Sequence, residues 1–220
     1  FQDWRPVIIA LAALSMIVGN LVAIHQRNIK RLLAYSSIGQ AGYILMGIAA
    51  LSAQNAPFAS TAVIFHVIGY AITNLTAFIC IIAYYNLTGK DEIPDYDGLA
   101  MRNAFLAFVL AIALFSAAGL PIFVGFTTKF YLFTAAAKDG LLWLAALAIV
   151  NSVISLFYYA RIIKALYLDK PGEHDAEVAP VSGYDAFFLT LLAVPVILRG
   201  LWWNNLAVFA DRSAELLGMR

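Results

Sequence analysis

Six long hydrophobic blocks separated by short polar connectors organise the chain, at residues 6–24, 31–51, 58–85, 104–137, 141–167 and 184–203. The connectors read HQRNIK, SAQNAP, NLTGKDEIPDYDGLAMRN, KDG and DKPGEHDAEVAPVSG. Apolar residues fill each block continuously instead of recurring on one face, as in helices surrounded by hydrocarbon or other helices. A helix of about 20 apolar residues crosses a bilayer core about 30 Å thick. The pattern therefore predicts an all-α polytopic membrane protein with about six transmembrane helices. The fourth block is too long for one straight span. It contains AAGLPIFVGFTTKFYLF, residues 117–133, where Gly119 weakens the helix and Pro121 removes a backbone donor, so this span is expected to be discontinuous.

Composition narrows the function. Of 220 residues, 63% are hydrophobic and only 12% charged, against about 25% charged in a typical soluble domain. A soluble fold would have to bury several wholly apolar helices in one core. The single cysteine, Cys80, can form no internal disulfide and cannot alone hold a metal or cluster. No Gly-rich phosphate loop or paired Cys/His spacing appears, so no cofactor is expected in this chain. A net charge of +1 argues against a nucleic-acid partner. The chain starts at Phe1 without a signal peptide, and it is expected to be part of a longer protein.

Lysine and arginine set the expected orientation. Alternating spans put Arg5, Lys138, Arg199, Arg212 and Arg220 on the side of the N-terminus. They put Arg27, Lys30, Arg31, Lys90, Arg102, Arg161, Lys164 and Lys170 on the opposite side. The more basic side, with HQRNIKR in a short loop, is expected to be cytoplasmic.

Lys129 is left over, inside the membrane. A charged side chain at that depth costs roughly 2.5–3.5 kcal/mol on insertion scales, and the default reading is an ion or proton path. The alternative is a lysine whose stem runs along the helix to the headgroups. The adjoining break at Gly119 and Pro121 favours the first, because unwound backbone at membrane depth needs protein or a water-filled cavity around it. In the third block, His66, Tyr70 and Asn74 recur every four residues, with Thr73 and Thr76 beside them. Such a stripe can hold a file of water, and histidine can pass a proton between its ring nitrogens. For His66 the proton path is preferred over packing; for Asn74 a relay and a helix contact are equally open. In the second block, Ser36, Ser37, Gln40 and Tyr43 accompany Gly39 and Gly42, read first as close helix packing and second as part of a water path. All thirteen acidic residues lie in loops or at block ends, so a carboxylate facing Lys129 is expected on another chain or another part of this one.

The stretches NIKRLLAYSSIGQAGYILMGIAAL (28–51), EIPDYDGL (92–99) and AAGLPIFVGFTTKFYLF (117–133) resemble the antiporter-like membrane subunits of respiratory complex I. The likeness is greatest to their N-type branch, subunit 2 in mitochondria. It covers most of the chain and weakens after about residue 170. It implies the second five-helix repeat of the antiporter-like fold plus a last helix. The implied boundaries are spans over 1–167, a polar loop over 168–183, a final span over 184–203 and a tail over 204–220. By the resemblance, Lys129 matches the lysine on the discontinuous twelfth helix. His66, Tyr70 and Asn74 fall where L-type subunits carry His, His and Lys on helix eleven. Ile122 stands where a second proline is usual, which softens the expected break. The implied function is proton translocation in an NADH:quinone oxidoreductase of a bacterial plasma membrane. NADH, FMN, Fe–S clusters and quinone would be bound by partner subunits, and the neighbours would be other membrane subunits, the lipid bilayer and protons. A sodium/proton antiporter subunit of the Mrp type, a hydrogenase membrane subunit and a purely structural membrane subunit are the alternatives.

Overall fold

The computed structural model describes residues 3–172 and 178–216. Among the described residues the chain is helical, with no β-strand. The first three helices are α1 (Arg5–Ile24), α2 (Ile29–Ala49) and α3 (Ala56–Thr88). A 3₁₀ turn (Ile93–Tyr96) and a short α4 (Leu99–Arg102) follow. Then come α5 (Ala104–Ala118), α6 (Val124–Lys138), α7 (Leu142–Tyr167), α8 (Gly183–Leu201) and α9 (Asn204–Leu216). Five of these, α1, α2, α3, α7 and α8, are each long and apolar enough to cross a membrane. The fourth block is split into α5 and α6, as its Gly and Pro predicted.

Local signals fix the helix ends. Asn28, Asn103 and Ser182 accept backbone N–H bonds from Arg31, Leu106 and Asp185 at the starts of α2, α5 and α8. Pro6 and Pro57 occupy first turns, where their missing N–H costs nothing. Helix α3 has 33 residues and is about 50 Å long. Helices α1 and α2 touch closely: a Cβ at Gly42 would lie 2.8 Å from Met16 N. The glycines of the second block thus serve packing.

Polar contacts tie up the two ends of the bundle. At one end Ile29 N–H donates to Asp91 O (3.0 Å) and Ile93 N–H to Arg27 O (2.8 Å). Lys30 pairs with Asp91 (3.2 Å), and Arg161 Nη1 donates to Ile24 O (2.9 Å). The Asp91 carboxyl is held below the usual carboxylate range by a hydrogen bond from Asn28, then by one from Lys30. At the other end Arg5 pairs with Asp139 and donates from Nε to Ala49 O (2.9 Å), and Asn55 donates to Ala135 O (2.9 Å). The basic cluster and EIPDYDGL therefore share one end, opposite Arg5 and Lys138.

The last span differs from the expected one. Helix α8 ends at Leu201, level with the α5–α6 break, where Gly200 lies against the backbone of Ile122 and Phe123. The region expected as a tail contains α9, which continues along α3. Leu206 packs near Ile72 and Val124, Ala207 and Ala210 pack on Phe65, and Thr61 donates to Asp211 (3.1 Å). Arg199, expected at the outer end, instead sits in the last turn of α8 at the level of the break, exposed. Part of the 168–183 loop (residues 173–177) and Arg220 lie outside the described residues.

Candidate functional site

The site forms where α5 ends. Gly119 takes a left-handed conformation (φ 85°) and donates to Phe115 O and Ser116 O, closing the helix. Pro121 lies in the unwound segment, and Ile122 is the one non-glycine with positive φ (84°) among the described residues. A proline ring holds φ near −65°, so this backbone excludes a second proline at 122. The absence of that proline does not soften the break; the chain leaves the helix fully between Ala118 and Val124. Gly125 N–H crosses the gap to Ser116 Oγ (3.1 Å), which ties the start of α6 to the end of α5.

Lys129, one turn into α6, points back into this gap. It is 3% exposed. Its ammonium donates to Ala117 O (2.8 Å), Ala118 O (3.4 Å) and, on α7, Ser152 Oγ (3.2 Å). The two carbonyls belong to the C-terminal turn of α5, where unpaired C=O groups and the helix dipole amount to roughly half a negative charge. That negative end compensates the ammonium, and Tyr43 adds a ring face 5.3 Å from Nζ. No carboxylate among the described residues forms an ion pair with Lys129. A groove of about 300 Å³ opens beside it between α6 and α7, lined by Leu120, Phe130 and Val153 among others.

On the other flank lies a polar cluster. His66 Nδ1 is joined to Thr128 Oγ1 (3.1 Å), Thr73 to Ser116 (2.9 Å), and Tyr70 donates to Ser37 (2.7 Å). A space of about 10 Å³ is enclosed by Gln40, His66, Tyr70, Thr73, Thr128 and Lys129, among other residues. That is comparable to one water molecule. His66 Nε2 and Tyr43 Oη, both buried, have no hydrogen-bond partner among the described residues. Donors and acceptors thus line one flank of Lys129, with Ser152 at its ammonium beside the apolar groove, an arrangement able to pass a proton through hydroxyls and water on the polar flank.

Of the residues singled out from sequence, Lys129, Gly119, His66 and Tyr70 come together, while Pro121 lies exposed in the unwound segment, beside Gly200 and Trp203. Asn74 does not. A helix turns about 100° per residue, so eight positions beyond His66 is about 80° off its face, while seven is about 20° off. Thr73 therefore takes the place expected for Asn74. The sequence reading passed over a second network. Ser36 bonds Tyr159, Asn20 Nδ2 donates to Asn151 Oδ1 (3.2 Å), and Tyr158 donates to Asn20 Oδ1 (2.8 Å). The polar spacing of NSVISLFYY (151–159), which also holds the lysine partner Ser152, carried that signal.

A broken apolar helix with a buried lysine folded onto the carbonyls at the break is the arrangement expected of an antiporter-like membrane subunit. The model of the NADH:quinone oxidoreductase/Mrp antiporter transmembrane family matches residues 1–155, and the chain belongs to that family. It is 42% identical over 211 residues to NADH-quinone oxidoreductase subunit N of Moorella thermoacetica, covering 96% of this chain and 43% of that protein. A chain of the membrane-bound sulfane sulfur reductase, an archaeal respiratory membrane complex, superposes with a TM-score of 0.84 at 30% identity, covering 96% and 42%. A chain of respiratory complex I from Thermus thermophilus does so at 0.83 and 26%, covering 99% and 46%. The chain thus spans less than half the length of the relatives it matches.

Proposed function

We propose that this chain is part of a proton-translocating N-type membrane subunit of an NADH:quinone oxidoreductase in a bacterial plasma membrane. The observation that carries this reading is the Lys129 ammonium seated on Ala117 O and Ala118 O with the His66–Thr128 and Thr73–Ser116 pairs adjoining it. Quinone reduction in other subunits, which bind NADH, FMN, Fe–S clusters and quinone, drives a charge rearrangement along the membrane. Lys129 gains and loses its proton with that rearrangement. A carboxylate from a neighbouring membrane subunit or from the rest of this one supplies the changing field, since interactions between charges at this depth are weakly screened. His66, Tyr70 and Thr73 with water carry the proton towards Lys129. Asn74 is a helix contact in this reading.

The Mrp-type sodium antiporter is the second reading. Oxygen ligands favour a hard cation, but the two carbonyls freed by the break are already held by an ammonium. This favours protons over Na⁺. The test uses the assembled complex in inverted membrane vesicles, following donor oxidation and proton uptake with and without Na⁺. Proton uptake that tracks donor oxidation in Na⁺-free medium is expected. Proton movement that requires Na⁺ and persists without donor would overturn the proposal.

A further inference from the structure

Helix α8 meets the break in a way that proton transfer alone does not explain. Ile122 is β-branched yet holds φ at 84°, a conformation costly for such a side chain. Backbone strain of this kind persists only where surrounding structure over-determines it. Helix α8 supplies that surrounding structure. A Cβ added at Gly200 would lie 2.0 Å from Ile122 O and 2.5 Å from Phe123 C, so α8 rests directly on this peptide and only glycine fits. Around that point, Phe123 and Val124 pack with Val196 and Ile197. Immediately afterwards α8 ends at Leu201, and the chain restarts as α9. The braced segment leads back to Gly119, where an added Cβ would be 3.2 Å from Lys129 Cδ, and to the carbonyls of Ala117 and Ala118 that hold Nζ.

We propose that Gly200 is a positioning residue: by pressing α8 on the Ile122–Phe123 peptide it holds the unwound segment in the one conformation that presents the Ala117 and Ala118 carbonyls to Lys129. Glycine at 200 gives the close approach, and Ile122 is the strained link it restrains. The functional consequence rests on the proposed proton role of Lys129; the mechanical part does not.

The test uses the full-length subunit in its assembled complex, with Cys80→Ala and a reporter, Leu120→Cys, in the groove beside Lys129. Reaction with a small membrane-permeant maleimide, without electron donor, reads the conformation of the break independently of proton transfer. Gly200→Ala is expected to change the labelling rate about tenfold, as release of a strained backbone would. Adding Ile122→Gly, which frees the peptide whose oxygen and carbon meet the new Cβ to shift without side-chain strain, should bring the rate back towards that of the parent. Gly42→Ala, which crowds the contact between α1 and α2 with a Cβ 2.8 Å from Met16 N, should not be rescued by Ile122→Gly. The pH profile of proton uptake should shift in Gly200→Ala and return in the double variant. If Gly200→Ala prevents assembly, Val196→Ala, which thins the packing of α8 on Phe123 and Val124, should change the labelling rate in the same direction. An unchanged rate in the assembled variant, or equal rescue of Gly42→Ala, would overturn the brace. If Lys129→Met still pumps fully while the labelling pattern holds, the proton reading fails and the brace stands.

Discussion

Replacing Lys129 by methionine separates a proton carrier from a structural cation. The structural consequence follows from its three contacts, Ala117 O, Ala118 O and Ser152 Oγ. Hydrogen bonds from a charged donor contribute about 1.5–3 kcal/mol each. Burying an ammonium costs several kcal/mol in the opposite direction. The two effects are similar in size, and methionine keeps most of the stem's volume. Ala117 O also retains Gln40 Nε2 at 3.4 Å, so it is not orphaned. The net change in stability is therefore expected to stay within about 2 kcal/mol, and the complex should assemble. Activity should change far more. A positioned group that transfers protons accelerates that step by about 10²–10⁴-fold, so transfer through this site should fall by at least about 10²-fold. Donor oxidation should fall with it, because the two are coupled. Lys129→Arg should restore the contacts without restoring transport, since a guanidinium does not release its proton in this range. Proton uptake into vesicles is measured alongside donor oxidation, with assembly checked on a native gel. Full pumping by an assembled Lys129→Met complex would refute the carrier role and leave a structural lysine.

Further predictions concern the rest of the chain. His66→Ala should slow proton uptake less than Lys129→Met, because water can take over one relay position; an unchanged rate and pH dependence would make the His66 cluster packing alone. Cysteines at Lys30 and Asp91 should react with an impermeant thiol reagent from the cytoplasmic side and a cysteine at Lys138 from the outside; labelling of all three from one side would refute the alternating spans. Asp91 has a folded pKa below its unfolded value through Asn28 and then Lys30, so its stabilisation is complete above the unfolded pKa, about 3.9, and is lost as pH falls through the lower folded value. Asp91→Asn should remove that acid-dependent component and cost only about 0–1 kcal/mol at neutral pH, as exposed pairs do; thermal unfolding in detergent across pH 2–7 checks both, and an unaltered acid limb would show that Asp91 does not contribute.

How much of this was legible in the sequence depends on what each residue does physically. The long blocks were legible because hydrocarbon thickness demands length, and the break because Gly119 and Pro121 act on the backbone locally. Helix α9 was not, because Asp211, Arg212 and Glu215 dilute its apolar residues, and only its packing on α3 reveals it as an element of the bundle. The level of Arg199 was not legible either, because it is set by Gly200 meeting the backbone of Ile122 and Phe123, a contact between segments far apart in sequence. Asn74, for which a relay and a helix contact were equally open, falls off the His66 face because counting by fours drifts around a helix, whereas Thr73 keeps to the face. The α1–α7 network was missed because Asn20, Asn151 and Tyr158 are scattered among apolar residues and become a set only through contact. The feature least visible in sequence is the compensation of Lys129. A search for acidic partners finds none inside the blocks, which makes the lysine look unpaired. The fold provides the compensation by ending α5 beneath it, so that backbone carbonyls bear the negative end of a dipole at membrane depth. Such compensation is partial and fixed. It holds an ammonium in place without neutralising it as an ion pair would, and in the proposed mechanism that leaves its proton responsive to a charge that moves nearby.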